Sequence, residues 1–163
     1  MKCLFLDIDG VIRVAMNPDG TNEQFSPALC RNLERLVVLS GARIIISSDW
    51  RRRMSVEEVF EHIPSEELKN HIHPDQLHTT VLDRWEAIEM WLAEHPEVDN
   101  YVVLDDRAQL FDGCSDLFRR RLVLCNGREG LVGSRVAAAL RLFDGMSQEE
   151  KDVFQGGGDD STL

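Results

Sequence analysis

The sequence predicts an α/β layer fold built on a mainly parallel central sheet. Two observations carry this: β-rich apolar runs alternate with amphipathic helical stretches, and three of the apolar runs stop on acid or hydroxyl groups. Strands in an open parallel sheet end this way when their carboxyl ends face a ligand crevice. At 163 residues the chain is long enough for one compact domain and too short for two of full size. Hydrophobic residues at 43% and charged residues at 29% are the composition of a folded domain, not of a disordered chain.

Lys2 to Ile8 is a β-rich apolar run stopping at Asp9-Gly10, so it reads as a short buried strand that ends in a turn. Ser26-Pro27 supplies an N-cap and a proline at the first helical position, and Leu29, Leu33, Leu36 and Val37 then recur at helical spacing as far as Gly41. Ala42 to Ile46 is a second buried strand, ending in Ser47-Ser48-Asp49. Ser55-Val56-Glu57-Glu58 is a capping box that opens a short helix, and Ser65-Glu66-Glu67 starts another. From Pro64 to Leu82 the pattern is weakest. Asp83-Arg84-Trp85-Glu86 is a further capping box, and Trp85, Ile88, Trp91 and Leu92 share one apolar face, which predicts a helix from about Arg84 to Glu94. Tyr101 to Leu104 is a third strand ending at Asp105-Asp106, Arg121 to Cys125 a fourth, and Ser134 to Phe143 a final helix. The Gly156-Gly157-Gly158-Asp159-Asp160 stretch has the composition of a frayed end. A single domain over 1–145 with a flexible tail over 146–163 is therefore expected.

The formal net charge of −11 opposes long-range attraction to nucleic acid and to anionic membranes. Arg51-Arg52-Arg53 and Arg119-Arg120-Arg121 are two local basic clusters against this background, the second reading as ordinary solvated surface. No apolar run approaches the roughly 20 residues that cross a bilayer, so a soluble, cytoplasmic protein without a membrane partner is expected. Cys3, Cys30, Cys114 and Cys125 are scattered without a CxxC pair and read as reduced core thiols. His71, His73 and His78 lie close in sequence at irregular spacing, which speaks against a zinc site.

The strand ends carry the chemistry. The first delivers Asp7 and Asp9, the second Ser47 with Ser48 as its rival, the third Asp105 and Asp106. Side chains alternate along an extended chain, so Asp7 and Asp9 point to one side, one deeper than the other. Four carboxylates at one sheet edge repel unless a cation neutralises them, and all-oxygen donors favour a hard ion such as Mg²⁺. Magnesium commonly takes substrate phosphate as a ligand, which points to phosphoryl chemistry. Ser47 or Ser48 then supplies a hydroxyl and Arg84 a guanidinium for phosphoryl oxygens, and Arg51 is a candidate substrate contact.

Phe5-Leu6-Asp7-Ile8-Asp9-Gly10-Val11-Ile12 resembles the DxDGV(I/L) first motif of haloacid dehalogenase (HAD) phosphatases. Ser47 after Ile44-Ile45-Ile46 resembles the second motif, Arg84 the third and Leu104-Asp105-Asp106 the acidic fourth. The resemblance implies a three-layer Rossmann-like fold with a mainly parallel sheet. It also implies Asp7 as nucleophile, Asp9 as acid and base, and Mg²⁺ held by Asp7, the backbone carbonyl of Asp9 and Asp105, with Asp106 supporting or sharing that role. Ser47 and Arg84 would bind the transferring phosphoryl group. Little sequence is left for a cap domain, so an open site is expected, suited to a phosphate on a nucleic-acid end, a phosphoprotein or a nucleotide. Ser47-Ser48-Asp49-Trp50-Arg51 and Arg84-Trp85-Glu86-Ala87-Ile88 resemble small capless HAD domains associated with RNA-repair proteins. A HAD-fold module that binds without turnover is the alternative.

Overall fold

The computed structural model describes residues 1–14, 24–63, 65–78 and 82–145. The expected tail over 146–163 lies outside them. Strand β1 (Lys2–Leu6) leads into a short antiparallel hairpin of β2 (Arg13–Val14) and β3 (Gln24–Phe25). Helix α1 (Pro27–Ser40) follows, started by the Ser26 hydroxyl accepting from the Leu29 N–H and closed by the Gly41 N–H donating to Val37 O. Next come β4 (Arg43–Ile46), a 3₁₀ turn over Asp49–Arg52, α2 (Val56–Glu61) and α3 (Glu66–Asn70). Helix α4 (Arg84–Glu94), β5 (Asn100–Asp105), a 3₁₀ turn over Ala108–Phe111, α5 (Asp116–Arg119), β6 (Leu122–Leu124) and α6 (Gly133–Asp144) complete the described residues.

The sheet runs β4-β1-β5-β6 and every pairing in it is parallel. The chain leaves β1 for one neighbour and crosses back to the other side, which puts a topological switch point at the carboxyl end of β1. Alternation sorts the strand residues onto two faces. Leu4, Leu6, Ile44, Ile46, Val102 and Leu104 join the core that holds α1 and α6, whereas Cys3, Phe5, Ile45, Tyr101 and Val103 join the core with α4 and α5. The three-layer α/β architecture is as expected, and no cap domain stands over the sheet among the described residues.

Some differences have physical causes. Strand β1 stops at Leu6, two residues before the predicted end, because Ile8 O accepts from the N–H groups of Val11, Ile12 and Arg13 in a tight turn. The Arg119–Arg121 run is not one surface patch. Arg121 is only 1% exposed and donates to Tyr101 O and Leu142 O at 2.9 Å each and to Asn100 Oδ1. It ties the end of α6 to the start of β5, with its guanidinium over the Tyr101 ring at 5.9 Å from the centre. Arg121→Ala removes three hydrogen bonds at once, two of them buried, and is expected to destabilise the fold by about 3 kcal/mol or more. A urea midpoint indistinguishable from the native one would contradict that role. All four cysteines are free and buried, and burial pushes the thiols of Cys3 and Cys125 up to about 12. No helix among the described residues is long and apolar enough to cross a membrane.

Candidate active site

Register brings the site together. Leu6 of β1 lies opposite Ile46 of β4 and Leu104 of β5, so the next residues, Asp7, Ser47 and Asp105, stand level across three neighbouring strands. The ladder continues through them: Asp7 N–H donates to Leu104 O at 3.0 Å and Ser47 N–H to Leu6 O at 2.9 Å. All three share the alternation parity of Phe5, Ile45 and Val103, the face covered by α4. The first residue of α4 is Arg84, which therefore arrives over the same spot.

Arg84 is 8% exposed, and its Nη1 lies 3.3 Å from Asp7 Oδ1 and 2.5 Å from Asp105 Oδ2, with Nη2 3.6 Å from Asp49 Oδ1. Burial opposes the guanidinium charge, but Asp105 and Asp7 more than reverse this and raise its pKa. Asp7 behaves in the opposite way. Burial first, and then the neighbouring Asp105, push its carboxyl up to about 8 although Arg84 pulls the other way. Asp105 is also raised, mainly by burial. Two acids held above their ordinary range beside one cation mark a site that is short of positive charge.

Ligand oxygens of Asp7, Asp105 and Asp106 lie within 4.8 Å of one another. Asp106 Oδ1 is buried without a hydrogen-bond partner, an acceptor that a cation would satisfy. Two glycines make room for that carboxylate. A Cβ on Gly10, whose φ is +81°, would stand 2.2 Å from Asp106 Oδ2, and one on Gly127 would stand 2.8 Å from it. The three carboxylates and their all-oxygen chemistry fit Mg²⁺.

Not every expected residue joins this cluster. The Asp9 carboxylate is turned to other partners: Oδ1 accepts from Arg13 Nη1 and Oδ2 from Trp50 Nε1, both at 2.9 Å. The expected convergence of four carboxylates is therefore one of three, because the turn at Gly10 carries residue 9 past the strand end and two donors hold it there. The two serines separate as well. Ser48 Oγ accepts from Trp50 N–H and caps the 3₁₀ turn, whereas Ser47 Oγ is buried with no partner. Arg51 is half-buried, its pKa lowered by burial and then by Arg52 and Arg84. Arg13, Asp49, Trp50 and Gly127 belong to the site although sequence patterning singled out none of them as site residues. Trp50 and Asp49 follow directly on the second motif, the one signal that pointed to them, whereas Arg13 and Gly127 have none.

The sequence profile of the family described as "HAD domain in Swiss Army Knife RNA repair proteins" matches residues 3–136. The chain belongs to this family. No curated protein matches it. The matched stretch runs from β1 into α6 and contains every site residue named above, so the HAD resemblance of the first motif extends across the whole sheet. Membership supports phosphohydrolase-type activity for the domain, and HAD proteins in general use Mg²⁺.

Proposed function

We infer that this HAD domain is a Mg²⁺-dependent phosphomonoesterase working through an aspartyl-phosphate on Asp7. The observation that carries this is the level placement of Asp7, Ser47 and Asp105 beneath Arg84, with Asp106 completing an oxygen-donor cluster. Asp7, Asp105 and Asp106 would hold the ion, together with the backbone carbonyl of Asp9, and the bound ion would neutralise charge on the carboxylates and the phosphoryl oxygens.

An Asp7 carboxylate oxygen attacks phosphorus while the bond to the leaving oxygen breaks, and Asp9, which must first exchange its contacts with Arg13 and Trp50 for the substrate, gives that oxygen a proton. Water then attacks the aspartyl-phosphate, Asp9 takes its proton, and phosphate leaves with the Asp7 carboxylate restored. Ser47 Oγ and the Arg84 guanidinium donate to the equatorial oxygens as charge shifts onto them. Of the two serines, Ser47 suits this role because Ser48 is engaged as a cap. The sheet edge, uncapped among the described residues, and the family's printed association with RNA repair favour an accessible phosphate on a nucleic-acid end over a buried metabolite. Release of phosphate from p-nitrophenyl phosphate and from terminally phosphorylated oligonucleotides, with and without Mg²⁺, tests this reading. Mg²⁺-dependent release from both supports it. Absence of release from either, with Mg²⁺ bound, points instead to a binding module.

The raised Asp7 pKa gives a pH signature independent of turnover. A folded-state pKa of about 8 against the ordinary 3.8 means that the folded protein keeps a proton the unfolded chain has released. Ion-free stability therefore falls as pH rises across that window. Binding Mg²⁺ requires the ionised carboxylates, so it is expected to release a proton near neutral pH and to raise the melting temperature more at pH 8 than at pH 5. Melting curves with and without Mg²⁺ check this, and a stabilisation by Mg²⁺ that did not change with pH would contradict it.

A further inference from the structure

A cavity of about 500 Å³ opens beside Asp9, with Arg13, Trp50, Arg52, Arg53 and Met54 among its walls. Its size is that of a small-ligand site, typically about 300–1,000 Å³. It carries a basic excess: three guanidinium groups face two carboxylates in a chain of net charge −11. Arg13 pairs with Asp9 at 2.9 Å and Arg52 Nε lies 3.5 Å from Asp49 Oδ1, while Arg53 is exposed.

Position says what this space is for. Asp9 is assigned the proton for the leaving oxygen, so whatever carries that oxygen must emerge into space that Asp9 borders. Resting on the phosphohydrolase reading, we propose that this cavity is the leaving-group subsite for a nucleic-acid end. It takes the terminal nucleoside against Met54 and the Arg13 guanidinium that lies over the Trp50 ring, 5.1 Å from its centre, and the next internucleotide phosphate at Arg52 and Arg53. A base offers a π-face to a guanidinium plane whatever its identity, and guanidinium groups suit phosphate oxygens. A phosphoserine peptide offers neither an obligatory ring nor a second phosphate at that point. The acidity of the rest of the surface repels a longer polyanion, so recognition is confined to the terminal nucleotides, and a dinucleotide with a terminal phosphate serves as well as a longer strand.

The test compares kcat/KM for such a dinucleotide, for p-nitrophenyl phosphate and for a phosphoserine peptide, in the native protein and in Arg52→Ala/Arg53→Ala. The expected result is a dinucleotide-to-p-nitrophenyl ratio lowered about tenfold or more in the variant. The dependence of log kcat/KM on log salt should also become shallower, by about 0.7 for each phosphate that the variant no longer neutralises, and Arg53→Lys should keep the native slope. Equilibrium binding of the dinucleotide to Asp7→Asn, and to Asp7→Asn with both arginines replaced, gives a readout that needs no turnover and should weaken by a similar factor. An unchanged ratio and unchanged binding overturn the subsite while native turnover of p-nitrophenyl phosphate still upholds the phosphohydrolase reading. A phosphopeptide preferred over the dinucleotide, with the same loss in the variant, overturns the nucleic-acid assignment. Failure of the native protein to hydrolyse any of the three counts against the phosphohydrolase reading and the subsite together.

Discussion

Asp7→Asn is expected to lower turnover of p-nitrophenyl phosphate by about four orders of magnitude or more, because the amide cannot form the acyl-phosphate and Asp105 and Asp106 are taken up in holding the ion. The loss should come without loss of fold. Asp7 is 4% exposed and its ionised form is disfavoured first by burial and then by Asp105, so a neutral side chain of nearly the same shape removes an unfavourable charge. The ion-free variant is expected to melt no lower than the native protein at pH 8, to lose part of its stabilisation by Mg²⁺, and to show a flatter fall of stability between pH 5 and 8. Melting curves and steady-state rates on the same preparations check both halves. A variant that loses activity only because it unfolds would contradict this account, as would one that retains a substantial rate.

Arg84→Ala should have the largest effect on stability. The guanidinium stands 3.3 Å from Asp7 and 2.5 Å from Asp105, the latter fully buried. Its removal leaves the two acids facing each other without that cation, and breaking a buried pair in this way costs about 3–5 kcal/mol. Protonation of Asp7 and Asp105 relieves part of this cost at low pH, so the deficit is expected to grow as pH rises. Mg²⁺ should recover part of it, since the ion supplies charge to the same carboxylates. Arg84→Lys keeps the charge but not the fork of donors, and is expected to keep more of the stability than of the activity. Urea midpoints with and without Mg²⁺ read this directly. A loss of under about 1 kcal/mol without the ion, the scale of an exposed pair, would show that Arg84 does not bridge the two carboxylates.

How much of this was legible in the sequence depended on whether the signal was local. Helix α1 has a hydroxyl cap, a proline at its first position and a closing glycine, all within the element, and it runs from Pro27 to Ser40 as its pattern predicts. Helix α4 has the predicted bounds, with Glu86 reaching back to the Asp83 N–H as the capping box requires. The acids at the ends of β1 and β5 were readable because an apolar strand that stops on a carboxylate is visible in one dimension. The β2–β3 hairpin was not, since two-residue strands carry no periodicity. The partners of Asp9 were hidden for another reason. Trp50 is 41 positions away and meets it only once β1 and β4 pair in register. Arg121 reads as solvated within a run of three arginines, and only the closure of α6 over β5 buries it. Its neighbours at 119 and 120 remain exposed, so charge runs predict an average and not each member.

The measurement that tests the central claim most directly is a rapid acid quench of the native protein during turnover of a phosphate ester labelled on the transferred phosphoryl group, in the presence of Mg²⁺. The account predicts label retained on the protein, released by hydroxylamine, mapped to the peptide that contains Asp7, and absent from Asp7→Asn. Steady turnover with no label on Asp7, or with label on another residue, would contradict it.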